Sequence, residues 1–269
     1  MPRFAEVAID RWIFVSRASI LLAMLLSSAN LRAQNVCEIG NQILNSAQPS
    51  GITPAEIIRQ FVAKETAFHA ARDHYGYTLE VTVQTLTSFD QIDGEYHQVS
   101  EFVLGRNGAH VEKVTFAPES TLRRISLSQD DLDYVHTPVA ITSEELPFLS
   151  VEYAGQQHVD QLDTYVFKVS PSSSKTKKKL FAGRIWVDNQ DLMIVKTCGK
   201  AHPDEIPRSA KKGPANISPT FVTYREEIGG KLWFPTYSKA DEFLAFPKAE
   251  VHVREVVKYS SYKPLDPRN

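Results

Sequence analysis

The chain has 269 residues, 30 Lys and Arg against 32 Asp and Glu, and a formal charge of −2. That balance offers no basic face to a polyanion, so nucleic acid is excluded as a partner. With 42% hydrophobic residues and two cysteines, the composition is that of a chain able to bury a sizeable core without a disulfide framework.

Residues 1–33 read as a secretory signal peptide. Arg3, Arg11 and Arg17 give a positive flank, Ala18 to Ala29 a short apolar run, and Leu31-Arg32-Ala33 a small residue before the cut. The apolar run falls short of the about 20 residues that a spanning helix needs. Cleavage leaves residues 34–269 as a single domain, with a mature charge of −4, in the periplasm or outside the cell. The alternative is a membrane tether through an uncleaved anchor. An oxidising compartment permits Cys37 and Cys198 to pair. The chain-entropy model gives such a bridge about 5 kcal/mol at best. Two unpaired thiols are the other outcome.

Thr53-Pro54-Ala55-Glu56 opens a helix, with Thr53 as cap, Pro54 in the first helical position and Glu56 reaching back to complete a capping box. Ile57, Ile58, Phe61, Val62 and Phe68 follow along one stripe at helical spacing. The helix should fade near His74-Tyr75-Gly76. From Tyr77 to Leu86 the period is two: Tyr77, Leu79, Val81 and Val83 alternate with Thr78, Glu80, Thr82 and Gln84. Strands are expected next at 96–104, 109–116 and 122–127, then a helical turn at 128–132 and a short capped helix from Thr142 to about Leu149.

Strands resume at Val151. Residues 159–170 read as one strand, with Tyr165, Phe167 and Val169 on one side. Lys175, Lys177, Lys178 and Lys179 follow a Ser-rich run and read as a loop tip; peripheral contact with anionic headgroups is the sharper alternative. Gly183 to Asp188 and Leu192 to Thr197 form a hairpin whose corner, Asn189-Gln190-Asp191, bonds its own backbone. Residues 200–219 read as an exposed loop. Gly229-Gly230 joins two more strands, because both accept the positive φ of a type I′ turn. In the last strand, Val251, Val253 and Val257 alternate with His252, Arg254 and Lys258. Glu255 and Val256 break that pattern, which suggests a bulge. One helix followed by consecutive antiparallel hairpins is an α+β plan.

The segments Tyr165-Val-Phe-Lys-Val169, Phe181-Ala-Gly-Arg-Ile-Trp-Val-Asp188, Asp191-Leu-Met-Ile-Val-Lys196 and Gly230-Lys-Leu-Trp-Phe-Pro-Thr-Tyr237 resemble outer-membrane lipoprotein-sorting proteins, the LolA/LolB-like lipoprotein-carrier superfamily. The resemblance spans roughly residues 151–262. It implies a strongly curved antiparallel β-sheet, a half-barrel, with helices covering its concave face. It further implies a hollow that shields acyl chains of lipids or lipoproteins in the periplasm. Residues 128–149 and 200–219 look like additions to that plan, and no residue is matched to the polar latch by which those carriers hold the lid. On this basis Leu79, Val81, Val83, Tyr165, Phe167, Val169, Ile185 and Val187 are the candidate hollow-lining residues, and Ile58, Phe61 and Val62 the lid. An envelope scaffold that offers the same curved sheet to a protein partner is the alternative.

Catalytic signatures are missing. The sequence has no G-x-S-x-G elbow and no H-E-x-x-H pair, and its eight histidines form no ligand-spaced pair on one element. A non-catalytic protein without cofactor or metal is therefore expected.

Overall fold

The computed structural model describes residues 36–38, 43–105, 110–128, 131–132, 139–173, 180–202, 219–230, 232–246 and 249–265. The proposed leader and the Lys175, Lys177, Lys178 and Lys179 cluster lie outside them. The chain divides into two units, residues 1–39 and residues 40–269. In the first, Val36–Glu38 forms one 3-10 turn. No described helix is long and apolar enough to cross a membrane. Both cysteines, Cys37 and Cys198, are disulfide-bonded. A thiol reagent is therefore expected to label neither residue of the native protein, and both after reduction; labelling without reductant, read by mass, checks it.

Among its described residues the second unit has one long α-helix, α1 (Pro54–Arg72), and ten strands: β1 (Tyr75–Leu86), β2 (Ile92–Leu104), β3 (His110–Phe116), β4 (Leu149–Val159), β5 (Leu162–Pro171), β6 (Leu180–Asp188), β7 (Ile194–His202), β8 (Phe221–Ile228), β9 (Leu232–Ala245) and β10 (Glu250–Pro264). They form a single open antiparallel sheet in the order β3-β2-β1-β10-β9-β8-β7-β6-β5-β4. β4 to β10 is an unbroken meander: each strand pairs antiparallel with the one before it in the chain. The last strand then pairs with the first, so β1 and β10 are interior strands and β3 and β4 form the edges.

The edges are treated differently. Along β4, Asn45 and Gln156 exchange backbone hydrogen bonds at 2.8 and 2.7 Å. Gly155 makes room for that contact: its φ is 148°, and a Cβ there would meet the Asn45 carbonyl oxygen at 2.4 Å. β3 has no strand on its outer side among the described residues.

Several local expectations are corrected. Residues 122–127 are not a strand; Thr121 ties the segment to Glu95 by backbone and hydroxyl hydrogen bonds, and it runs as an extended cover. Residues 159–170 are broken by a turn at Asp160, whose φ is 53°, so a strand ends at Val159 and another begins at Leu162. The helix expected from Thr142 is a turn followed by a 3-10 segment, Leu146–Phe148, because Pro147 cannot donate within a longer helix. No bulge occurs at Glu255: the β1–β10 register is continuous from Leu79↔Tyr259 to Leu86↔His252. In place of the several helices expected over the sheet, one long α-helix stands among the described residues.

Candidate functional site

Residues paired across an antiparallel ladder share a face of the sheet. One register row runs Phe167↔Ile185↔Thr197↔Thr223↔Ser238↔Val257↔Val81↔Gln98, crossing from β5 to β2. The row puts Leu79, Val81 and Val83 on the same face as Tyr165, Phe167, Val169, Ile185 and Val187. All eight are buried.

They do not form one continuous apolar surface. Tyr165, Phe167, Val169, Ile185 and Val187 pack with Ile57, Phe61 and Val62 of α1, with Ile58 half-buried at the rim. Phe61 meets Phe167 with ring centroids 5.5 Å apart. Leu79, Val81 and Val83 belong to a second cluster with Val251, Val253 and Val257, against which Leu122, Ile125 and Leu127 pack. The two halves are separated by hydroxyls: Thr197, Thr223 and Ser238 occupy the middle of the row, and Thr223 and Ser238 share a 2.8 Å hydrogen bond.

α1 packs against this face through one side. Thr53 accepts from the Glu56 N–H at 3.2 Å, as a helix cap should. The Glu56 carboxylate does not reach back to the cap. It accepts from Arg59 and Gln60 instead, and these hold its carboxyl down to about 2. Among the apolar residues of the stripe sits Glu65, fully buried. Its carboxylate accepts from Arg225 Nη1 at 2.8 and 3.1 Å and from the Ile194 N–H at 3.4 Å. Arg225 also donates to the Val139 carbonyl and lies 5.1 Å over the Phe68 ring. Burial pushes the Glu65 carboxyl above the usual carboxylate range, and Arg225 and the Ile194 N–H oppose that shift. The helix is thus fixed to the sheet by apolar packing at its first half and by one dry ion pair at its middle.

Sequence reasoning missed this pair. Its signal was present: Glu65 falls at the turn-by-turn position of Ile57 and Phe61, where a carboxylate is out of place unless it meets a cation. Arg225 was hidden because its strand face could be assigned only once the Tyr224/Arg225 register shift was seen.

A cavity of about 490 Å³ opens beside α1, lined by Lys64, Ala67, Phe68 and Ala71 of the helix, Asp191 and Met193 of the β6–β7 turn, and Glu227, Gly230 and Leu232 of the β8–β9 hairpin. His97, His158 and His252 each face a carboxylate, of Glu80, Asp163 and Asp241 respectively, rather than one another.

No protein-family model matches the chain, and no curated protein does. Solved structures to which it is similar include a DUF1329 family protein from Desulfovibrio piger, 14% identical over 76% of this chain and 93% of that one, with a TM-score of 0.34. A LolA superfamily protein from Nitrosomonas europaea is 14% identical over 77% and 93%, with a TM-score of 0.33. A domain assigned as an outer membrane lipoprotein-sorting protein, from Vibrio parahaemolyticus, is 8% identical over 75% and 91%, with a TM-score of 0.36.

Proposed function

We propose that this protein is a non-catalytic carrier that shields the acyl chains of a lipid or lipoprotein in the periplasm. The observation that carries the reading is the apolar face of β5, β6 and β7, closed by one amphipathic helix that a buried ion pair holds in place. In this form the face is filled by the protein's own side chains. Cover and cargo would therefore exchange rather than add.

The magnitudes fit an exchange. Lifting α1 exposes Ile57, Phe61 and Val62 along with Tyr165, Phe167, Val169, Ile185 and Val187, at about 1.5–3 kcal/mol per side chain, roughly 12–24 kcal/mol together. An acyl chain of about sixteen carbons recovers on the order of 13 kcal/mol at about 0.8 kcal/mol per CH₂. A helix that opens with nothing to replace it is unfavourable; one displaced by a hydrocarbon chain is close to balanced at the lower end of that range. Native mass spectrometry of protein extracted from the cell envelope tests the reading. Co-purifying lipid is expected, and repeated recovery of empty protein overturns it.

The filled face and its hydroxyl seam favour a second reading, an envelope scaffold without internal cargo. β3 would supply its contact edge, since Val111, Val114 and Phe116 are exposed on a strand with an open side. Extraction that returns a protein partner and no lipid would select it.

A further inference from the structure

The cavity beside α1 has a composition that ordinary packing does not require. Its floor is apolar, made by Phe68, Met193 and Leu232, while Ala67 and Ala71 keep the helix side shallow. Charge is confined to the rim. Lys64 is exposed and donates to the Asp191 carbonyl. The Asp191 carboxylate accepts from the Trp233 indole N–H at 3.2 Å, which holds it at the opening. Glu227, exposed on the hairpin arm, completes the ring. One cation and two carboxylates around an apolar floor match a ligand with an alkyl chain and a head that carries both signs. A simple fatty-acid anion would leave both carboxylates facing like charge, and an alkylammonium would leave Lys64 so.

Phe68 connects this opening to the cover. Phe68 is among the lining residues; its ring also sits under the Arg225 guanidinium at 5.1 Å and against Phe234 at 5.3 Å. A hydrocarbon chain seated on Phe68 would lie next to the ion pair that fixes α1.

Building on the carrier reading, we propose that the cavity is the mouth at which a single-chain zwitterionic amphiphile binds, its anionic group on Lys64, its cationic group between Asp191 and Glu227, and its chain on Phe68, Met193 and Leu232. The volume, about 490 Å³, is within the range of small-molecule sites.

Dodecylphosphocholine below its micellar concentration is the probe, titrated calorimetrically into the full chain. Filling the cavity from the helix side with Ala67→Phe or Ala71→Phe is expected to weaken binding at least tenfold while the melting temperature is retained. Lys64→Gln and Glu227→Gln are each expected to weaken the zwitterion several-fold and to leave a neutral alkyl maltoside unchanged. Equal affinity of wild type and both filled variants overturns the mouth, as does a wild type that does not bind the probe. Native mass spectrometry of the Ala67→Phe protein separates this from the carrier reading: envelope lipid retained by a variant whose probe affinity is unchanged removes the mouth and leaves the carrier, whereas no lipid on either protein removes the carrier itself.

Discussion

Arg225→Ala is expected to destabilise the protein by about 3–5 kcal/mol, because it leaves the Glu65 carboxylate buried with no cation. Glu65 is fully buried and Arg225 almost so, and one guanidinium nitrogen, Nη1, donates to both carboxylate oxygens. The Ile194 N–H alone cannot offset the lost partner, and Phe68 loses the guanidinium above its ring. For a domain of this size each kcal/mol moves the melting temperature by about 2–4 °C, so a fall of roughly 10 °C is expected in a thermal scan. The double replacement Glu65→Leu with Arg225→Met should recover most of that loss, since a buried pair is often no better than apolar residues of similar volume. The two variants separate stability from gating. Both lack the polar tie, yet only the first carries an unpaired charge. If the tie holds the cover shut, amide exchange in α1 is faster than wild type in both; if it serves stability alone, the double variant exchanges like wild type.

That pair also marks the boundary of what a single sequence can disclose. The period-two alternation of Tyr77 to Gln84, the Thr53 cap and the Gly229-Gly230 corner were all legible, because each is decided within a few residues of chain. Gly229 and Gly230 have φ of 70° and 80°, as the hairpin demands. Asp188 accepts from the Gln190 and Asp191 N–H groups at 2.9 and 2.6 Å, so the expected self-bonded corner forms, anchored one residue earlier than its three-residue loop. The face shared by Leu79, Val81, Val83, Phe167 and Ile185 was legible too, as apolar periodicity. What lay across that face was not. Periodicity reports burial and is silent about what does the burying. The hydroxyl seam of Thr197, Thr223 and Ser238 arises from three strands whose registers are set by tertiary pairing. The segment over the second cluster differs from its expected strand for a related reason: Leu122 to Leu127 has the composition of one, but it is tied down through Thr121 to Glu95 and through the Arg124 side chain to the Leu86 carbonyl and Asp93.

Glu255 shows the same limit and yields the second large effect. The break in alternation at Glu255 and Val256 does not bend the chain. β10 keeps its register, so Glu255 falls on the buried face between Val253 and Val257, opposite Val83 on one side and Ala240 on the other. Burial pushes its carboxyl up from 4.5 to about 7, and Asp131 adds in the same direction. Below about pH 4.5 the group is protonated in both folded and unfolded chains and costs nothing. Between about 4.5 and 7 the unfolded chain has released the proton and the folded one has kept it, so stability falls as pH rises. Above about 7 the full cost is present, on the order of 3 kcal/mol at 1.36 kcal/mol per unit. Glu255→Gln cannot ionise and is expected to lose this slope. Urea unfolding at pH 5 and pH 8 should therefore show the variant gaining on wild type by about 2.5 kcal/mol between the two, since a small part of the cost is already present at pH 5. Any offset from the amide's own hydrogen bonding is the same at both pH values and cancels. Unfolding curves that keep a constant separation from pH 5 to 8 would place the carboxylate in water and remove the buried acid from the account of this face.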